Sequence, residues 1–511
     1  MRMFSKIVGS IKQGVLVGVV LSWGGALANA DHDLLDARQT RIGRAAQTAR
    51  QAREQAGIEP GKLPIGVFDS GTGGLAVLEA ILTIDAFDNR TGQPLPSGDG
   101  QPDLAGQAFI YLADQANMPY GNYPNVGRQP FLEDLIIQDV HFLLGNCYYP
   151  DEHGPPVHDK LPVRAVVIAC NTATAYGKHH IDQLVEASGL NVPVVGVVDA
   201  GVRGALDRFA DGRSGTIGVL ATRATVLADA YPQGIAVEFD RRGWDRRQQR
   251  IDVVQQGSLG LAGAIDGAEE FIIHNASSHQ PRDDYQGPSF DHPLAPIDPE
   301  ILPRYALDFR NHGVLFDGPA NRPTTLQLNS VMNYLRYDLV TLLETVRRSP
   351  EPQPVRAIIL ACTHFPYLQD AFEQQLQQLF DYQEDGQYIY RDLIAQPVAW
   401  IDPAYYTARK LVVRMIDQQQ LALNQCPTTS ADRTRADFYI TVPCRTCPQI
   451  ELTTQGHFTF DYKYSPDRPS PAGDYRAIPL RLDHLDQESS DRLRQQSPSV
   501  WTLLTDFQQI R

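Results

Sequence analysis

Residues Val163–Thr172 read VRAVVIACNT, and residues Val355–His364 read VRAIILACTH. Five of the first eight positions are identical, and the other three exchange one aliphatic side chain for another. Each copy is a run rich in β-branched residues that ends in Ala-Cys and then in small polar residues. Such a run fits a strand buried on both faces of a parallel sheet. The carboxyl ends of these strands open onto the crevice where α/β sheets bind ligands. The repeat therefore predicts two similar α/β halves, each offering one thiol, Cys170 and Cys362. A lone Ala-Cys at a strand end reads as an inert core cysteine. The near-repetition, and the polar Asn171-Thr172 and Thr363-His364 that follow, point instead to a site.

Upstream of the first copy, LPIGVFDSGTGGLAVLEAIL (Leu63–Leu82) gives a strand, a glycine turn and a helix. Free N–H groups and the helix dipole make such a turn an anion site. It lacks the Lys-Ser/Thr of a phosphate loop and the spacing of a dinucleotide fingerprint, and an N-capped tight turn reads equally well. A strand from Phe109 runs into DQANMPYG, with Asp114, Tyr120 and Gly121 at its end. Phe131–Leu144 is an amphipathic helix. Val192–Val198 reads as a strand ending at Asp199, Thr216–Leu220 as a strand before ATRAT, Ile251–Val254 as a short strand, and Val398–Ile401 as a strand ending at Asp402. Strands alternating with helices imply parallel sheets.

Three regions break this rhythm. Residues 1–30 carry Arg2, Lys6 and Lys12, a short apolar core and Ala28-Asn29-Ala30, the pattern of a secretory leader. Export, to a periplasm, is the expectation. Residues 31–62 predict a helix whose arginines face solvent. Residues 268–328 are polar and rich in Pro and Asp, an insertion. From 427 to 511 the texture is that of a small β-rich addition, with DFYITV and HFTFDYKY as alternating strands. The core then divides into 63–190, completed by 398–426, and 191–397. Overall the expected fold is α/β, with two pseudo-symmetric parallel-sheet domains facing each other across a cleft, plus the C-terminal addition.

The net charge is −15, and removal of the basic leader makes it more negative. That argues against nucleic acid or an anionic membrane as partner. No metal is expected: His153 and His158 match no ligand spacing, and Cys444-Arg-Thr-Cys447 has only Cys426 nearby. A disulfide at that pair suits an exported chain.

Taken together, FDSGTGGLAVL, DQANMPYG, ACNTATA, VVGVVDAG, IGVLATRAT and LACTHFPYL resemble the aspartate/glutamate racemase family, in the family's order. The resemblance covers roughly 63 to 265 and 355 to 412. Glutamate racemases are the more similar, because His364 stands where aspartate racemases usually carry glutamate. Departures are Ala113 for a glycine, Asn117 for an arginine, and Asp199 for a longer acid. The resemblance implies a cofactor-independent racemase of a small amino acid, with no pyridoxal phosphate and a homodimer as one arrangement. One thiolate takes the α-proton while the opposite thiol returns one. By resemblance Asp69 assists Cys170 and His364 assists Cys362. Ser70, Asn171, Thr172 and Thr363 hold the substrate's charged groups, and Tyr120 and Gly121 approach it through their turn. The alternatives are an exported amino-acid-binding or sensing protein on the same scaffold, or a racemase of aspartate or another acid.

Overall fold

Two parallel sheets organise the computed structural model, which describes residues 36–274, 276–421, 434–447, 450–468 and 473–510. The strands in chain order are β1 (Ile65–Asp69), β2 (Ala108–Ala113), β3 (Ala165–Ile168), β4 (Val194–Gly196), β5 (Gly215–Thr222) and β6 (Ile251–Ser258), then the hairpin β7 (Val314–Asp317) and β8 (Thr325–Leu328). After them come β9 (Val355–Ala361), the short pair β10 (Gln383–Glu384) and β11 (Gln387–Tyr388), β12 (Ile394–Ile401), β13 (Arg435–Pro443) and β14 (Tyr475–Pro479). The first sheet is ordered β14-β13-β2-β1-β3-β4 and the second β12-β9-β5-β6. Every neighbouring pair in them is parallel except β13–β14.

The two repeated stretches become β3 and β9, interior strands of separate sheets. Their Val and Ile side chains face helices on both sides, so β3 is buried throughout and β9 at all but Arg356. Full burial of one such side chain contributes about 1.5–3 kcal/mol, which keeps the register of each strand and sends the cysteine to its carboxyl end. The fold is thus α/β with two parallel sheets, as the repeat predicts.

Several local expectations are corrected. The strand at 192–198 is shorter. It stops at Gly196 because a helix, Val197–Asp207, begins there, and Asp199 lies in that helix's first turn, paired with Lys410. β4 still belongs to the first sheet, beyond the expected boundary at 190, and the strand at 398–401 pairs with β9 in the second. Only the following helix, Pro403–Asp417, returns to the first lobe, burying Ala404, Ala408, Leu411 and Met415 in its core. The helix at 36–56 does not leave all its arginines in solvent. Arg38 pairs with Glu133 at 2.7 Å and Arg41 with Asp134, side chains that are mostly covered.

HFTFDYKY is not a strand. Thr459 caps a short helix, Phe460–Tyr464, whose capping bond fixes the chain before a β ladder can form. Its aromatic residues Phe458 and Tyr462 pack around the guanidinium of the fully buried Arg468 instead. The C-terminal region as a whole extends the first sheet with β13 and β14. It closes with two helices, Gln487–Gln496 and Pro498–Ile510. The 268–328 insertion folds onto the second lobe, placing Ile297, Val314 and Leu326 in its core. The expected leader at 1–30 and Cys426 lie outside the described residues. No helix among the described residues is long and apolar enough to cross a membrane.

Candidate active site

At the end of β3, Cys170 is the N-cap of an 18-residue helix, Asn171–Ser188. Its Sγ accepts a hydrogen bond from the Ala173 N–H at 3.4 Å, and its thiol donates to Ser70 Oγ at 3.7 Å. A helix N-terminus favours thiolate. Burial works the other way and prevails: with the neighbouring Asp69 charge, it pushes the Cys170 thiol well up. Asp69, at the end of β1, accepts from the Gly74 N–H at 2.8 Å. Burial raises its carboxyl as well, against the pull of His364 and the turn's N–H groups. Tyr111 fixes the glycine turn from behind by donating to the Gly71 carbonyl at 2.7 Å.

At the end of β9, Cys362 Sγ lies 3.6 Å from His364 Nδ1. His364 Nε2 lies 3.0 Å from the Asp266 carboxylate. Burial alone would discharge the imidazole, but Asp266 outweighs it and raises the ring's pKa well above the ordinary value. A charged ring has both nitrogens protonated, so Nε2–H serves Asp266 and Nδ1–H is aimed at the sulfur. Asp266 is held low despite its burial, by His364 and by Arg492.

The two clusters meet. Cys170 and Cys362, 7% and 6% exposed, line one cavity of about 670 Å3. Asp69, Ser70, Tyr120, Gly121, Asn171, Thr172, Thr363 and His364 line it too. The lobes touch at the glycine turn: a Cβ on Gly73 would fall 2.7 Å from Thr363 Oγ1 and 2.9 Å from His364 Cε1. A glycine there is what lets the first lobe's turn seat against the second lobe's motif. Among the described residues no three His, Cys, Asp or Glu side chains gather as a metal-binding group.

The chain is 32% identical over 214 residues to a glutamate racemase of Limosilactobacillus fermentum, a match covering 41% of this chain and 62% of that one. Part of this chain is homologous to glutamate racemases. A second, from Neisseria gonorrhoeae, is 35% identical over 172 residues, covering 34% of this chain and 47% of its own length. The chain thus spans less than two thirds of either relative. Among solved structures, a glutamate racemase of Bacillus anthracis aligns with a TM-score of 0.38 and 19% identity, over 74% of this chain and 87% of that one. The Thermus thermophilus glutamate racemase in complex with beta-chloro-D-alanine aligns with a TM-score of 0.38 and 22% identity, over 74% and 88%. No protein-family model matches the chain.

Beside this racemase homology, the side chains of the predicted residues differ in how free they are. Asn171 Oδ1 already accepts from Tyr231 Oη at 2.7 Å. Thr172 shares a hydroxyl cluster with Thr222 and Thr225, at 3.3 Å each. The Tyr120 hydroxyl is spent below the cavity, 2.6 Å from both Asp114 and Asp139. Tyr120 lines the cavity, but its hydroxyl is already bonded.

Residue-by-residue reading of the sequence misses Thr222, Asp266, Arg492 and the cavity's C-terminal wall, to which His457, Phe458, Lys463 and Tyr464 belong. Thr222 stands in the ATRAT motif and was within reach of that reading. Asp266 and Arg492 sit in polar stretches that resemble ordinary surface, and only the fold brings them to His364.

Proposed function

We propose that the protein interconverts the enantiomers of a small amino acid, glutamate first among candidates, by α-proton transfer between Cys170 and Cys362. What supports this is one juxtaposition: two thiols from matching strand ends of two lobes share a cavity, each beside its own proton-handling partner. Cys170 holds its proton, because burial and Asp69 oppose the thiolate. Cys362, facing an imidazolium, is the starting acceptor. The Cys362 thiolate takes the α-proton, and the Cys170 thiol gives its own to the opposite face. Nothing is oxidised, and one C–H bond breaks as another forms. For the other enantiomer the roles exchange, with Asp69 receiving the Cys170 proton and His364 supplying Cys362. N–H groups of the glycine turn are suited to the charge that builds on the substrate carboxylate.

Incubating the reduced protein with enantiopure L- or D-glutamate in deuterated water tests the reading. Deuterium at the α-carbon with loss of optical purity is the expected result. Binding without α-deuteration would establish an amino-acid-sensing protein instead. The cavity volume lies within the range of drug-sized ligand sites, so aspartate and longer acids belong in the same panel.

Export is part of the proposal. The leader at 1–30 and the Cys444–Cys447 disulfide favour an oxidising compartment. Cell fractionation with N-terminal sequencing of the mature chain tests it, and an intact Met1 in the cytosolic fraction would reject it.

A further inference from the structure

The C-terminal region contacts the site from both lobes. On the first lobe it supports the DQANMPYG turn. Thr441 Oγ1 donates to Asp114 at 2.6 Å, Lys463 Nζ to the Met118 carbonyl at 2.6 Å, and Arg468 to Asn117 Oδ1 at 2.7 Å. On the second lobe the contact is made by the helix Gln487–Gln496. Its Arg492 donates through Nη1 to the Ile265 carbonyl at 3.0 Å. Through Nη2 it reaches Asp266 Oδ1 at 3.2 Å and Ser489 Oγ at 3.3 Å. The other oxygen of the same carboxylate faces His364. Both side chains of the Arg492–Asp266 pair are mostly covered, at 17% and 21% exposure, so solvent screens the pair less than a surface one.

We propose that this C-terminal helix is a working part of the second half-site, with Arg492 a positioning residue that fixes Asp266 and, through it, the orientation of His364 toward Cys362. A planar fork held at three points leaves the carboxylate one orientation. The carboxylate in turn sets which way the imidazole presents Nδ1–H. The titratable groups facing His364 are Asp266, Cys362 and Asp69, with Arg492 behind Asp266. The inference rests on the racemase reading for its effect on turnover, but its structural part can be measured without substrate.

Peptide-resolved alkylation of Cys362 by iodoacetamide across pH, on the full-length reduced protein, is that measurement. Deleting the Arg492 charge disfavours the thiolate, so in Arg492→Met the alkylation midpoint moves up by about half a pH unit or more. Deleting the Asp266 charge lets burial discharge His364, so the thiolate loses its facing cation and Asp266→Asn moves the midpoint up as well. Arg492→Lys keeps the charge and loses the fork. It holds the wild-type midpoint while kcat falls about tenfold at nearly constant KM. Unshifted midpoints in folded Arg492→Met overturn the proposal. If that variant does not fold, wild-type kcat in Arg492→Lys overturns it. If no acid exchanges its α-proton yet the midpoints move as stated, the racemase reading fails and the positioning role stands.

Discussion

The two half-sites present the same atom from nearly the same ten residues, yet they are built by different means. Around Cys170 everything is close in sequence or in the sheet: its own helix N-terminus, Ser70 and Asp69 from the adjacent strand β1. Around Cys362 no long helix begins; a short 3-10 turn, Phe365–Leu368, follows. In place of a dipole it has an ion-paired imidazole, tied through Asp266 to Arg492, more than a hundred residues downstream. The near-repeat therefore dictates where each sulfur sits but not which groups surround it. One half holds its proton by burial, and the other faces an imidazolium.

Removing either sulfur breaks the comparison most severely. Cys170→Ala and Cys362→Ala are each expected to lower kcat/KM by roughly 10^3-fold or more, the upper part of the range for a proton-transfer group. The equilibrium constant between enantiomers is one, so kcat/KM falls equally in the two directions. Chiral chromatography of progress curves from each enantiomer checks this, and near-normal racemisation by either variant would refute the two-thiol scheme.

Next come the partners. His364→Asn and Asp266→Asn are expected to cost about 10^2-fold and about tenfold respectively, because the first removes the imidazole and the second leaves it in place but lets burial discharge it. Their signature is asymmetry. With α-deuterated substrates, the isotope effect grows in the direction that uses Cys362 as the base and changes less in the other. Asp69→Asn should mirror it. Equal isotope effects in both directions for all three variants would mean that the half-sites are not separately supplied.

How much of this was legible before folding follows the same division. Both sulfurs, their neighbours along the chain and the glycine turn could be read, because strand ends and tight turns are local. The two sheets could be read, because a buried parallel strand has a distinctive apolar run. The pairing of Asp266 with His364 could not: GAIDGAEE carries no pattern that separates a site carboxylate from a solvated one. Arg492 sits in QESSDRLRQQ, whose polarity reads as exposed helix. The alternation in HFTFDYKY was misleading because its aromatic rings cage a buried guanidinium rather than covering a sheet. Long-range docking of polar segments is decided by complementary charges, which leave no periodicity.

The seam between lobes offers a smaller effect. In Gly73→Ala the added Cβ would need Thr363 or His364 to give way. Displacement of these side chains by a few tenths of an ångström to 1 Å is expected to cost about tenfold to 10^2-fold in kcat. Thermal stability should change little, since the strand and the helix flanking the turn are untouched. An unchanged kcat would mean that the lobes part freely at this turn.

The smallest expected effect lies beneath the first half-site and concerns stability. The Tyr120 hydroxyl has one proton and lies 2.6 Å from carboxyl oxygens of both Asp114 and Asp139. Asp114 also accepts from Asn117 and Thr441, so it is the ionised partner. Asp139 must then donate, which requires it to be protonated. Burial and the Asp114 charge push the Asp139 carboxyl well above its ordinary value. The native state thus keeps a proton that the unfolded chain sheds near pH 4. Stability is lost as pH rises from there toward the native value, by up to about 1.4 kcal/mol per pH unit. Asp139→Asn keeps a donor and removes the titration. Urea midpoints measured between pH 5.5 and 8 should therefore show the variant gaining on the wild type as pH increases, with racemisation altered less than twofold. A constant difference across that range would mean that the proton sits elsewhere in the Asp114–Tyr120–Asp139 chain.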